Sequence, residues 1–138
     1  MSVEPRRIRS LAVTREDAVA AYEARERGRK PTVLRVVAPL SGRMRARLHV
    51  ATEAPGPNEL HLHPATFVAD PPPFPEVDET EDELRECGEY DLDRHRAAHE
   101  RAVAEWRETV SAQLRERITL PPTDDADEGH EVTVSYLG

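Results

Sequence analysis

The strongest constraint on the fold is a strict alternation of side chains between Arg43 and Thr52. Successive side chains of a β-strand point to opposite faces, so the alternation predicts a strand with one apolar and one cationic face. The preceding run Thr32–Ala38 is the most β-branched in the chain, and a turn at 39–42 would pair the two as a hairpin. The apolar face comprises Met44, Ala46, Leu48 and Val50, and the cationic face Arg43, Arg45, Arg47 and His49.

Two helices are predicted from capping residues and apolar periodicity. The first covers about residues 15–27, with Thr14 as N-cap and Gly28 as the left-handed stop. The second is predicted from Asp91 to Ile118, about 40 Å long. Because this exceeds what one small domain needs, the helix should either cross the whole sheet or meet a second copy. Its apolar stripe comprises Leu92, His99, Val103, Trp106, Val110, Leu114 and Ile118.

Three shorter strands are predicted over 7–13, 60–63 and 131–136, and residues 70–90 read as an acidic, proline-rich connector. Within this connector, Thr80 and Glu83 match a capping box that predicts a short helix ending at Gly88. We therefore expect one α+β domain over 1–138. It would have an antiparallel or mixed sheet of four to five strands, with a short N-terminal helix and one long C-terminal helix packed on one face.

Composition limits the environment and the chemistry. No apolar run is long enough to span a membrane, residues 1–15 lack the hydrophobic centre of a secretory signal, and the lone Cys87 excludes an internal disulfide. The expected location is the cytoplasm. Eighteen arginines against one lysine, with 27 carboxylates and a net charge of −8, favour either a salt-rich cytoplasm or simply a GC-rich genome.

Charge is unevenly distributed along the chain. Residues 1–50 carry 12 basic and 5 acidic side chains, whereas residues 51–138 carry 7 and 22. Either the two halves neutralise one another in the fold or the basic half meets an external anion.

The cationic strand face is a candidate polyanion site. Alternate strand residues lie about 6.5–7 Å apart, close to the distance between successive phosphates of a nucleic acid strand. No aromatic residue interleaves with the arginines, so base stacking is not predicted. The alternative is a solvated face paired with carboxylates. The candidate residues are Arg35, Arg43, Arg45 and Arg47.

Histidines suggest a second candidate, a transition-metal site. His61 and His63 lie two apart on a strand, with His49 in reach on the adjacent strand, and His95 and His99 form an i, i+4 helical pair. Zinc would be the metal. Arg96 stands where a zincin requires glutamate, which excludes that protease class. The alternative is ordinary surface and core histidines.

Catalytic residues are not predicted. Cys87 lies among carboxylates that disfavour the thiolate, and no nucleophile elbow, phosphate loop or dinucleotide motif occurs. The preferred interpretation is a non-enzymatic interaction module that forms a homodimer through the long helix or a strand edge. Nucleic-acid or other polyanion binding, and metal binding or metal-dependent catalysis, are the alternatives.

One segment resembles known proteins. The run VVAPLSGRMRARLHV, from Val36 to Val50, resembles a segment of small uncharacterised acidic proteins of halophilic archaea, and the stretch Thr14–Tyr22 is compatible with that group. The resemblance implies a salt-loving origin. It implies no activity, cofactor or site residue.

Overall fold

The computed structural model describes residues 4–28, 31–88, 91–121 and 129–138, without the side chains of 78–80. The chain divides into two compact units. The sheet unit comprises Met1–Ala69 and Leu114–Gly138, and the helical unit comprises Asp70–Gln113. The helical unit is an insertion, because Leu114 pairs with Val68 and the Arg115 amide donates to the Phe67 carbonyl at 2.8 Å. The chain therefore re-enters the sheet unit beside the point where it leaves.

The sheet unit contains two sheets, not the single sheet expected. A mixed four-stranded sheet has the order β3-β1-β7-β6, in which β1 is parallel to β3 and β7, and an antiparallel three-stranded sheet has the order β4-β2-β5. The α+β class is confirmed. The strands are β1 (Ser10–Thr14), β2 (Thr32–Val37), β3 (Arg43–Arg45), β4 (Arg47–Val50), β5 (Glu59–Leu62), β6 (Arg117–Leu120) and β7 (His130–Leu137), and the helices are α1 (Arg15–Glu26), α2 (Val77–Glu86) and α3 (Leu92–Ala112).

The second sheet arises because the alternating segment changes neighbours at Ala46. Up to that point the segment pairs with β1, and the Ala46 amide donates to the Ala12 carbonyl at 2.9 Å. Beyond it the segment pairs with β2, and the Leu48 amide donates to the Asp17 carboxylate on α1 at 3.3 Å. The predicted hairpin is therefore confirmed where residues 32–35 pair with residues 47–50. It is wrong for residues 43–45, which pair with β1 instead. Alternation reveals which side chains face inward, but not which strand lies alongside.

Both sheets contribute to one hydrophobic core, together with the buried face of α1. Thr14 begins α1 as predicted, because its hydroxyl accepts from the Asp17 amide at 3.0 Å, and Gly28 follows the helix with a φ of 66°. The outer faces of both sheets carry exposed side chains, including Arg43 and Thr133 on the four-stranded sheet and Arg47 on the three-stranded sheet. Buried members of the core include Leu11, Val13, Ala18, Ala21, Leu34, Val36, Ala46, Phe67, Ile118 and Leu120.

The helical unit differs from the prediction at two helix ends. Helix α2 begins at Val77, so the capping box at Thr80 is wrong, although Gly88 ends the helix at a φ of 70° as expected. Helix α3 is capped by Asp91 but ends at Ala112, which gives about 32 Å for 21 residues. Ile118 instead lies in β6 and points into the core of the sheet unit. It was assigned to the helix because its position happens to continue the helical period.

The side chain of Trp106 organises the helical unit. Its ring meets Phe74 edge-on, with centroids 4.9 Å apart, and its indole N–H donates to the Pro72 carbonyl at 3.0 Å. Val103 and Val110 on the same helix are also buried. No described helix combines the length and the apolar character that crossing a bilayer requires.

Candidate functional site

Arginines along the shared segment 43–50 remain outward-facing across the break between the sheets. Arg43, Arg45 and Arg47 are exposed, whereas the intervening Met44 is half-buried and Ala46 is fully buried. The alternation in exposure therefore holds although the strand is divided. We call Arg43, Arg45 and Arg47 the arginine row.

The charge of the arginine row is not balanced by an ion pair within the described ranges. Among the residues that the structure describes, no carboxylate forms an ion pair with any of its three guanidinium groups. Pairing with a carboxylate, the expected alternative, is found for Arg35 but, within the described ranges, for none of the three arginines of the row. A guanidinium group without a partner carboxylate keeps its donors available for an external anion.

Small hydroxyl side chains surround the arginine row on the four-stranded sheet. In register, Ser10 lies opposite both Arg43 and Thr133, and Thr133 lies opposite Arg117 on β6. Residues opposite one another on neighbouring strands share a face, so two hydroxyls lie between two arginines. Arg117 is 3.5 Å from Glu131, with both side chains largely exposed. These short neighbours leave the guanidinium groups of this face open to solvent.

The fourth predicted arginine, Arg35, differs from the arginine row because it has a carboxylate partner. Its Nη1 lies 3.5 Å from Glu59 Oε1. In register, Arg35 on the central strand faces Arg47 on one side and His61 on the other. The structure therefore brings Arg35 beside the arginine row, but places it in a separate polar network.

That network covers the outer face of the three-stranded sheet. His61 Nε2 lies 3.1 Å from Glu59 Oε2, and the rings of His49 and His61 approach to 5.5 Å between centroids. The two rings meet across β2 near Val33, which is only 5% exposed. We call Arg35, His49, Glu59 and His61 the imidazole face.

Glu59 is the centre of the imidazole face. The Gly56 amide donates to its carboxylate at 3.4 Å, while Arg35 and His61 approach from β2 and β5. The Gly56 hydrogen bond, aided by His61 and Arg35, holds the pKa of Glu59 below its usual value. The carboxylate therefore stays ionised in mild acid.

His63 is not part of this network. It lies beyond β5 as the N-cap of a 3-10 helix, Pro64–Phe67, and its Nδ1 accepts from the Ala65 amide at 3.1 Å. Burial, assisted by the Arg25 guanidinium, lowers the pKa of His63. The predicted pair His61 and His63 therefore performs two separate tasks.

The second predicted pair belongs to the helical unit. The rings of His95 and His99 lie 6.5 Å apart, and His95 Nε2 is 3.0 Å from the Val77 carbonyl. Within the described ranges, no group of three or more histidine, cysteine or carboxylate side chains has a metal-binding arrangement. Zinc binding by His61, His63, His95 and His99 stays a prediction, to be tested by elemental analysis of untagged protein.

Two residues of these surfaces are missing from the sequence-based candidates. Glu59 could have been found, because its position two residues before His61 puts both side chains on one face of β5. Arg117 could not have been found, because the apolar periodicity placed it inside the predicted helix.

Comparisons with known proteins identify a family but no activity. A family model described as Domain of unknown function (DUF8009) matches residues 1–138. No curated protein and no solved structure matches the chain significantly. A functional conclusion therefore depends on the geometry of the described residues.

Proposed function

Since the chain belongs to the family described as a domain of unknown function (DUF8009), we propose a function from its geometry: the sheet unit binds a polyanion, nucleic acid in particular, through the arginine row. The observation that carries the proposal is the exposure of Arg43, Arg45 and Arg47 at alternate positions without a carboxylate partner among the described residues. Arg117 is exposed on the same face of the four-stranded sheet, where Glu131 is its ion-pair partner at 3.5 Å.

Spacing supports this ligand class. Side chains at alternate strand positions repeat about every 6.5–7 Å, which allows neighbouring arginines to contact neighbouring phosphates. Arginine donates two parallel hydrogen bonds to a phosphate, and serine and threonine hydroxyls commonly add further contacts. Ser10 and Thr133 lie on the same face as Arg43 and are placed to supply them.

Sequence-independent binding is expected. No tyrosine, phenylalanine or tryptophan alternates with the arginine row, so the surface offers no stacking platform for bases. Contacts to phosphates position a nucleic acid without reading its sequence. RNA and DNA single strands of equal length should therefore bind with similar affinity.

Fluorescence anisotropy with labelled 20-nucleotide RNA and DNA tests the proposal, at pH 8 and low salt. Replacing all three arginines of the row with glutamine should weaken binding by about a hundredfold or more, because three lost phosphate contacts at about 1 kcal/mol each sum to about 3 kcal/mol. The matched control removes the same charge from α3 through R94Q, R96Q and R101Q, all of which are exposed. Circular dichroism verifies that both variants fold.

Two results would contradict this function. In one, the row variant binds as tightly as the unmodified protein. In the other, the α3 control loses as much affinity as the row variant, which would attribute binding to net charge alone.

Self-association is the second candidate, favoured by the exposed start of α3. Leu92 is 65% exposed, and in this helix the buried side chains described are Val103, Trp106 and Val110, all in its second half. An apolar side chain on an exposed helix turn can be covered by a second copy. Light scattering at tens of micromolar protein in high salt tests this. A dimer that L92Q converts to a monomer supports the candidate, and a monomeric unmodified protein removes it.

A further inference from the structure

The three-stranded sheet has one closed edge and, in the described part of the chain, one open edge. Its strand order β4-β2-β5 makes β4 and β5 the edge strands. Helix α1 closes the β4 edge, because the Leu48 amide donates to the Asp17 carboxylate at 3.3 Å. On the β5 edge, the described main-chain hydrogen bond is local and joins the Glu59 amide to the Gly56 carbonyl at 3.1 Å. The β5 edge is therefore the one that can accept a further strand.

The open edge presents main-chain groups of Glu59 and His61. In an antiparallel pair, residues that exchange hydrogen bonds alternate with residues that do not. The Ala38 amide donates to the Asn58 carbonyl at 2.7 Å, so every second residue from Asn58 onward, Leu60 included, bonds to β2. The N–H and C=O groups of Glu59 and His61 therefore point away from β2. Among the residues that the structure describes, the Glu59 C=O and both main-chain groups of His61 have no hydrogen-bond partner.

We propose that β5 pairs with β5 of a second copy of this chain, antiparallel and about a two-fold axis at Leu60. A row of unpaired N–H and C=O groups at a sheet edge is a template for such pairing. Each His61 N–H donates to the Glu59 C=O of the other copy, which gives two main-chain hydrogen bonds and joins the two sheets. This contact does not depend on the arginine row, and it uses a different surface from the exposed start of α3.

Side-chain complementarity favours this register over its neighbours. Glu59 lies opposite His61 of the other copy, so a carboxylate faces an imidazole, which carries an N–H donor in either charge state. An axis at Glu59 would set two carboxylates opposite each other and place Pro57, which has no N–H, opposite His61. An axis at His61 would extend the pairing into His63, where the chain leaves the strand for a 3-10 helix.

The inner side of the same contact is apolar. Leu60 is half-buried and packs against the core of the sheet unit. Residues at the axis form a non-hydrogen-bonded pair, whose Cα atoms lie about 4.5 Å apart and whose side chains are close. The two Leu60 side chains therefore cover each other's exposed part, which adds apolar burial to the main-chain hydrogen bonds.

Disulfide trapping tests the contact and its register together. L60C, in a C87S background that removes the native exposed thiol, should form a linked dimer with oxidised glutathione, because about 4.5 Å between Cα atoms lies within the disulfide range. The matched control is L48C in the same background, since Leu48 is also half-buried but lies on the closed edge. L60C should cross-link at least about tenfold faster than L48C. Equal rates would indicate random collision and would contradict the proposal.

Two variants at His61 separate main-chain pairing from side-chain contacts. H61P removes the N–H that the contact requires, and proline is tolerated where a strand edge faces outward. The dissociation constant of the dimer should rise at least about tenfold, because each copy loses one main-chain hydrogen bond. H61T keeps that N–H and should change the constant by less than about threefold. Sedimentation equilibrium measures both, circular dichroism verifies the fold, and disulfide trapping decides if H61P does not fold.

L92Q distinguishes this contact from self-association through α3. A dimer that H61P dissociates and L92Q leaves intact supports pairing through β5. A dimer that L92Q dissociates and H61P leaves intact overturns the proposal, as does a monomeric unmodified protein without preferential trapping of L60C. None of these measurements involves nucleic acid, so their failure leaves polyanion binding by the arginine row unaffected.

Discussion

The two compact units differ in what holds them together and in charge. The core of the sheet unit is built from residues distant in sequence, from Ile8 to Val134, whereas the helical unit is organised around Trp106 and its neighbours Phe74 and Pro72. The sheet unit contains 14 basic and 13 acidic side chains, and the helical unit 5 and 14. The sheet unit therefore combines the larger core with the cationic sites. The helical unit combines a small core with an excess of acidic side chains. This difference is the reason that our proposal of anion binding concerns the sheet unit.

The largest effect is expected at the sheet unit's core. Phe67 is fully buried, so Phe67→Ala should reduce the free energy of unfolding by about 3–5 kcal/mol through lost burial and the cavity left behind. Urea unfolding followed by circular dichroism measures the loss. Phe67→Leu, which keeps most of the volume, should cost less than about 1.5 kcal/mol. A loss below about 1 kcal/mol for the alanine variant would show that the core is not continuous across the sheets.

A smaller and more local effect is expected in the helical unit. Trp106→Phe keeps an aromatic ring against Phe74 but removes the donor to the Pro72 carbonyl, leaving that acceptor without its described partner. The cost should be about 1–2 kcal/mol. Hydrogen exchange measures it, since the amides of α3 should exchange about tenfold faster while those of β1 and β7 stay unchanged. Equal acceleration in both units would contradict the division into two units.

The N-cap of α1 gives the next effect. Thr14→Ala removes the hydroxyl that accepts from the Asp17 amide, and should cost about 1 kcal/mol of unfolding free energy. Thr14→Ser keeps the acceptor and is the control. Thermal unfolding of both variants measures the difference, and indistinguishable melting temperatures would show that the cap contributes nothing.

The smallest expected effect is a pH dependence of stability caused by His63 in the sheet unit. Because burial lowers the pKa of His63, folding favours its neutral form, whose Nδ1 accepts from Ala65. The stabilisation from neutral His63 is fully present above the pKa of histidine in the unfolded chain, about 6.5. It is lost as pH falls through the lower pKa of His63 in the folded protein. His63→Asn retains a capping acceptor that does not titrate.

Melting temperatures from pH 7.5 to 5 measure this contribution. They should fall more steeply for the unmodified protein than for H63N below pH 6.5. Parallel curves would show that His63 does not contribute to the pH dependence of stability.

Local signals in the sequence predicted local structure well. Helix α1 begins at Thr14 and stops before Gly28, because cap, first-turn carboxylates and glycine all act within a few residues. The outward direction of Arg43, Arg45 and Arg47 was predictable for the same reason. Side chains of an extended segment alternate between two faces whichever strand lies alongside.

Features that depend on distant residues were not predictable. The switch of partner strand at Ala46 is set by Ala12 and Asp17, which are separated from the segment by about thirty residues. The end of α3 at Ala112 is likewise set outside the helix, because Leu114 pairs with Val68 and β6 pairs with β7. The pairing of Arg35 with Glu59 follows from the register of β2 and β5, which alternation does not determine.

The most direct measurement of the central claim is the salt dependence of nucleic acid affinity at pH 8. Each phosphate contact contributes about −0.7 to −0.9 to the slope of log affinity against log salt concentration, so the arginine row predicts a slope between about −2 and −3. The variant with Arg43, Arg45 and Arg47 replaced should lose most of that slope. A slope near zero for the unmodified protein, or an unchanged slope in the variant, would contradict the assignment of polyanion binding to this surface.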